Sequence, residues 1–243
     1  VTGQPLNLSE LDIKGLGKAK YILKQGGTLG DLYTTSDLKF NDNGYVEVDK
    51  AGNLLLTDEG DQIYLGSVFP SENLAWRNDF RYKGINLGLL FTGRIGGICY
   101  SATQANMDLY GVSEVSAAAR DAGGVLINGR EMVDAQKWYQ AIGSQSGLPQ
   151  YYTYSATNVR LQEASIGYTI PRKKLGDVCD ITLSIVGRNL WMLYNKAPFD
   201  PEAVATTSNY YQGIDYFMMP SLRSIGSVSY THLRAHETDS YLV

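Results

Sequence analysis

Apolar and polar residues alternate most cleanly in LAWRNDFRYKGINLGLLFTGR, from Leu74 to Arg94. Two alternating runs flank Lys83-Gly84, so the pattern predicts a hairpin with a two-residue turn. Successive strand side chains point to opposite faces. Pairing the runs across that turn collects Tyr82/Ile85, Phe80/Leu87, Asn78/Leu89 and Trp76/Phe91 on one face. The other face collects Arg81/Asn86, Asp79/Gly88, Arg77/Leu90 and Ala75/Thr92. Each run is about ten residues, roughly 33 Å of strand, and spans about 23 Å when tilted by about 45°. That height matches the apolar band of an outer-membrane barrel, with Trp76, Phe91 and Tyr82 near its edges. A soluble sandwich also alternates, because one face of each sheet packs on the other. Its strands are usually shorter, nearer about five or six residues.

Alternation returns from Asn158 to Ile170, where Ala164, Ile166, Tyr168 and Ile170 oppose Glu163, Ser165, Gly167 and Thr169. A short turn, Pro171 to Val178, leads to a strand from Cys179 to Leu190, with Ile181, Leu183 and Ile185 opposite Thr182, Ser184 and Arg188. A further strand is expected to start near Met219. Between these elements lie two long connections, Ile95 to Thr157 and Met192 to Phe217, the first with a short helix expected around Ser113 to Asp121. Before the hairpin, residues 1 to 72 offer a strand fragment at Lys18 to Gln25 and a polar segment rich in turns. Connections therefore alternate short and long, as they do in outer-membrane barrels, whereas long structureless connections are uncommon in compact domains. The expected fold class is all-β, an antiparallel transmembrane β-barrel portion of about five strands with long extracellular loops.

Composition narrows the choice. The 243 residues include 18 Tyr and 26 Gly, only 19% are charged, and the net charge is −4. With a pI near 5.2 there is no basic footprint for nucleic acid. No apolar run is long enough for a membrane-spanning helix, which leaves barrel strands open. The start, VTGQPLNLSE, has neither a basic end nor an apolar core, so no signal peptide is read there. Because an outer-membrane protein carries one, the chain is expected to be an internal piece of a longer protein. Cys99 and Cys179 are far apart in sequence and are expected to be free.

Catalytic and metal chemistry find little support. Both histidines, His232 and His236, fall near the C-terminus, so the body lacks the imidazole of a triad or histidine metal site. Taking Asn41-Asp42-Asn43-Gly44 as a calcium loop puts Lys39 and Lys50 where carboxylates are required. The carboxylate pairs Asp200/Glu202 and Glu131/Asp134 suit glycoside hydrolysis in principle, but they sit on polar loops and read as solvated surface. Gly96-Gly97 and Gly123-Gly124 match no phosphate loop. The reading is not an enzyme, with no cofactor. Candidate substrate contacts are aromatic residues in the long loops: Trp138, Tyr139, Tyr151, Tyr152, Tyr210 and Tyr211. Their ring faces can stack on sugars. Charged residues on the polar strand face, Arg77, Asp79, Arg81, Arg94 and Arg188, read as an ion-pair ladder. The rival reading is a secreted β-sandwich that binds carbohydrate through loop tyrosines.

Several segments, taken in order, resemble one family. Phe69-Pro70 leads into Trp76-Arg77-Asn78-Asp79-Phe80-Arg81-Tyr82-Lys83 and Arg94-Ile95-Gly96-Gly97. Asn158-Val159-Arg160-Leu161-Gln162-Glu163 leads into Gly167-Tyr168-Thr169-Ile170-Pro171. Gly187-Arg188-Asn189-Leu190, Asp200-Pro201-Glu202 and Met219-Pro220-Ser221-Leu222-Arg223-Ser224-Ile225-Gly226 complete the series. From about Gly26 to Gly226 the chain resembles the C-terminal barrel of the SusC/RagA-like TonB-dependent outer-membrane transporters. The resemblance implies part of a 22-stranded barrel in the cell outer membrane of a Gram-negative bacterium, importing glycan or peptide fragments. It also implies a SusD-like surface lipoprotein as partner, contact with outer-membrane lipid, and coupling to the TonB complex through a plug that precedes this segment. Residues 1–227 are assigned to the barrel. Family members end in an alternating strand closing on an aromatic residue, whereas here SVSYTHLRAHET resembles translated sequencing-adapter read-through. Residues 228–243 are therefore expected to be non-native and disordered.

Overall fold

The computed structural model describes residues 6–7, 18–58, 60, 62–143, 147–204 and 212–233. Along the chain come β1 (Leu6–Asn7), β2 (Ala19–Leu23), β3 (Asp31–Thr34) and β4 (Ile63–Ser67), an antiparallel sheet in sequential order. The hairpin follows as β5 (Glu72–Tyr82) and β6 (Ile85–Ile95). Next are β7 (Ile98–Ser101), α1 (Ala102–Leu109), α2 (Glu114–Asp121), β8 (Val125–Ile127), β9 (Glu131–Val133), α3 (Ala135–Gly143) and β10 (Thr153–Ser155). The remaining strands are β11 (Asn158–Ile170), β12 (Cys179–Asn195), β13 (Ile214–Asp215) and β14 (Ser224–Leu233). The elements fall into two compact units.

One unit is a five-stranded sheet in the order β14-β12-β11-β6-β5, with β6, β11, β12 and β14 pairing antiparallel. The hairpin turn has Lys83 at φ 48° and Gly84 at φ 89°, the paired positive values of a type I′ turn. A Cβ on Gly84 would meet the Thr169 carbonyl at 2.9 Å, which reserves that place for glycine. Cross-strand pairing carries the alternation through the sheet. Leu87 faces Ile166 and Ile166 faces Ile185; Ile85 faces Tyr168 and Tyr168 faces Leu183. Trp76 and Phe91 stack with centroids 5.8 Å apart, which puts them on one face as the alternation predicts. The opposite face carries Asn86, Gly167 and Ser184, then Thr169 and Thr182. Nothing in the structure explains Asn78 on the apolar side.

Two expectations for this sheet need correction. β12 runs to Asn195 rather than ending at Leu190, because register shifts beside Leu161/Glu163 and Val159/Arg160 insert extra residues. Bulges break the period of two, so the continuation is hidden in the sequence. Val228 to Leu233 are not disordered, because they form most of β14 and pair with β12 from Ser184 to Cys179. The edge of β12 offers backbone N–H and C=O groups that any extended segment can satisfy, whatever its side chains. The side chains do not fit the face. Thr231, Ser229 and Ser227 lie beside Ile181, Leu183 and Ile185, while Tyr230 and Val228 lie beside Thr182 and Ser184. Polarity in β14 is thus inverted relative to its neighbour. Residues 234–243 lie outside the described residues.

The other unit is built from the long connections and the N-terminal segment. Its core includes Leu32, Leu38, Tyr100, Ala105, Ile142 and Leu148, drawn from strands and helices alike. β7 pairs antiparallel with β10 and parallel with β13. The expected helix is α2, capped by the Ser113 hydroxyl, which accepts the Ser116 N–H at 3.0 Å. Two helices were not legible: α1, capped by Ser101, and α3, whose first turn donates to Asp134 Oδ1. Between Asp37 and Thr57 the chain makes a small meander through the bridges Leu38↔Leu56, Phe40↔Val46 and Val48↔Leu54. The segment tested as a calcium loop is one of its turns, where Asn41 Oδ1 accepts the N–H groups of Asn43 and Tyr45 at 3.0 Å. Where hairpins interrupt this unit, backbone bonds close the gap: Ser71 N–H to Ile95 C=O at 2.9 Å, and Lys196 N–H to Thr157 C=O at 3.3 Å.

Candidate functional site

In the five-stranded sheet the two faces offer different chemistry. The apolar face is exposed, with Trp76 at 66% and Ile185 at 58%, and Phe80, Ile166 and Leu183 similarly open. In a sandwich the apolar face would be covered by a second sheet; here, among the described residues, it is not. On the polar face Arg77 bonds Asp79 at 2.9 Å and approaches Glu163 at 3.9 Å, while Arg188 reaches Glu163 at 3.1 Å. The expected ladder is therefore present for Arg77, Asp79 and Arg188. Glu163 joins the two arginines, a role the sequence hid because a bulge precedes it. Arg77, Asp79 and Arg188 are exposed and Glu163 is half-buried, so their pairing contributes little stability beyond orientation.

In the loop-built unit the six aromatic candidates separate. Trp138 and Tyr151 make an edge-to-face pair with centroids 6.1 Å apart, Tyr151 being exposed and Trp138 half-buried. Beside them Gln150 Nε2 donates to Asp37 Oδ1 at 2.8 Å and to the Ser36 carbonyl at 3.2 Å. Burial, and then the nearby Asp37 carboxylate, push the Tyr151 hydroxyl up to about 12, so it remains a donor at neutral pH. This edge combines ring surface with amide and carboxylate groups. Tyr139 and Tyr152 are core residues, 7% and 2% exposed, and their rings pack inside rather than outward. A tyrosine presents an apolar ring and a polar tip, so sequence alone does not say which side it takes. Tyr210 and Tyr211 lie outside the described residues.

The carboxylate pairs have local structural tasks. Asp134 starts α3, Glu131 lies 3.8 Å from Arg130, and Asp200 accepts the Glu202 N–H at 3.1 Å. Among the described residues no group of histidine, cysteine and carboxylate side chains could hold a metal ion, and no helix is long and apolar enough to cross a membrane. Both cysteines are free, Cys99 buried and Cys179 half-buried.

Comparison with known proteins points one way. No protein-family model matches the chain. TonB-dependent receptor P3 of Formosa agariphila is 24% identical over 208 residues, covering 82% of this chain and 20% of the receptor. Structures of the RagAB peptide transporter and of the RagAB peptide importer in its closed-closed state align with TM-scores of 0.54 and 0.51. Each is 15% identical and covers 88% of this chain but 26% of that one. The chain thus spans about a fifth of its receptor relative. Its sheet is an antiparallel piece of wall from the same barrel fold, and the sequence resemblance to a SusC/RagA-like TonB-dependent transporter fragment holds.

Proposed function

We propose that the chain is part of a TonB-dependent active transporter in the outer membrane of a Gram-negative bacterium. The carrying observation is the uncovered apolar face of the five-stranded sheet, backed by a face of ion pairs and small polar groups. Lipid chains suit the first face and a watery lumen the second. Strands β5 and β6 have eleven residues each, enough for the hydrocarbon layer when tilted. The intact transporter imports oligosaccharide or peptide fragments with a SusD-like surface lipoprotein, and draws on the TonB complex through a plug outside this segment. The resemblance supports that whole arrangement, and RagAB, itself a peptide importer, favours peptide as one substrate class. Trp138 and Tyr151, with Asp37 and Gln150 beside them, are the candidate substrate contacts.

The test uses the full-length parent in its membrane. Single cysteines placed from Ile85 to Phe91 meet a maleimide confined to the aqueous phase and a photolabel confined to lipid. Positions 85, 87, 89 and 91 should take the lipid probe, and 86, 88 and 90 should not. Uniform labelling, or none from lipid, would overturn the membrane assignment. A separate uptake assay with Trp138→Ala and Tyr151→Ala, offering labelled oligosaccharide and labelled peptide, reads the substrate class.

A further inference from the structure

The three helices of the loop-built unit surround a cleft with chemistry that the transport reading does not use. Asp108, in the last turn of α1, is 5% exposed. Its Oδ1 accepts Gln104 Nε2 at 2.8 Å and the Ser113 hydroxyl. Oδ2 has no hydrogen-bond partner within 3.5 Å among the described residues, and no basic nitrogen of theirs lies within 4.0 Å of the carboxylate. A buried carboxylate is stable only when paired or well bonded, and two donors on one oxygen leave the other to be satisfied. The carbonyl end of α1 adds negative potential at the same spot. A cleft of about 200 Å³ opens beside Asp108, and Tyr110, Ser116, Arg120, Gln136 and Tyr139 help line it. The buried Tyr152 hydroxyl makes no hydrogen bond within 3.5 Å, and its proton is held on first by burial and then by the nearby Asp108 carboxylate.

Arg120 lines the cleft without reaching the carboxylate, which among the described residues lacks a cation in contact with it. Tyrosine ring faces attract an ammonium ion as well. On another wall Arg120 spends one N–H on the Gly111 carbonyl, and a guanidinium carries five. An oxygen acceptor near the ammonium can use the rest. Drug-sized pockets run about 300–1,000 Å³, so the occupant here is small.

We propose that the cleft binds an α-ammonium group on Asp108, with the neighbouring carboxylate or carbonyl oxygen of the same ligand on Arg120. A free amino acid and the N-terminal residue of a peptide share this chemistry. The proposal stands on one unit alone and does not require that the sheet meet lipid.

The complete chain, refolded in detergent, is titrated by calorimetry with alanine, alaninamide and N-acetylalanine. Alanine or alaninamide should bind at least about tenfold more tightly than N-acetylalanine, which lacks the ammonium. Preference for alanine assigns the site to free amino acids, and preference for alaninamide assigns it to peptide N-termini. Asp108→Asn should abolish binding and Arg120→Gln should weaken it about tenfold. Asp108 also holds the Ser113 cap, so Arg120→Gln, with its exposed side chain, serves as the control that keeps the fold. No binding of alanine or alaninamide by the parent, equal binding of N-acetylalanine, or unchanged binding in Arg120→Gln would overturn the proposal.

Discussion

The side-chain amide of Asn128 pairs with both backbone groups of Val46, accepting its N–H at 2.8 Å and donating to its C=O at 3.0 Å. Asn128 stands at φ 53° in the turn between β8 and β9, so its side chain acts as a neighbouring strand for the meander. Asn128→Ala removes both bonds and places alanine where asparagine is better tolerated. Stability of this unit should fall by about 1–3 kcal/mol. Urea unfolding measures the loss, and amide exchange at Val46 should quicken. Unchanged exchange would show that the tether is dispensable.

Neighbouring leucines should respond in opposite ways to charge. Leu89 faces Ala164 on the apolar side, and Leu90 faces Glu163 on the polar side. In the membrane-embedded parent, Leu89→Arg should cost about 2–4 kcal/mol near the bilayer midplane. Leu90→Arg should be mild, since its guanidinium gains Glu163. Detergent-based unfolding titrations compare the two, and equal damage would contradict a one-sided lipid face.

Asp49 reports on the second turn of the meander. Its Oδ1 accepts the N–H groups of Ala51 and Asn53 at 2.8 Å, and Oδ2 accepts Asn53 Nδ2 at 2.8 Å. The backbone bond from Asn53, then its side-chain bond, hold the Asp49 carboxyl below its ordinary value. The folded pKa therefore lies below the unfolded one. The turn's contribution is complete above the ordinary carboxylate pKa of about 3.9 and fades as pH falls through the folded value. Carboxyl-carbon NMR should place the Asp49 midpoint below that of free aspartate. In Asn53→Ala, which keeps the backbone bond and loses the side-chain one, the midpoint should rise, and its failure to move would reject the side-chain contribution.

The inverted polarity of β14 makes its own prediction. Ser227, Ser229 and Thr231 occupy the apolar face, beside Ile185, Leu183 and Ile181. Replacing all three with valine should raise stability in detergent by about 2 kcal/mol or more. The same change at Val228 and Tyr230, to serine, should be tolerated. A triple variant no more stable than the parent would mean that lipid does not meet this part of the strand.

Much of the sheet could be read from side chains alone. Lys83-Gly84 marked the turn, and the period of two placed Trp76 with Phe91 and put Ile166 on one face with Ala164 and Tyr168. Legibility ended where the backbone departs from that period, at the bulges around Gln162 and Asn189, and with it went the partnership of Glu163 with Arg188 and the true end of β12. The loop-built unit was harder, since α1 carries Gln104, Asn106 and Asp108 on a short helix without a strong apolar stripe. Its stability comes from burial against distant segments, which no local window contains. The same non-local packing decided that Tyr139 and Tyr152 turn inward while Tyr151 stays at the surface.

The two backbone bonds that join Ser71 to Ile95 and Thr157 to Lys196 have an evolutionary corollary. Each hairpin segment leaves and rejoins the chain between two bonded residues, so it can be regarded as a removable cassette. Loss or gain of such a cassette would change strand number in steps of two and leave its flanking residues already side by side.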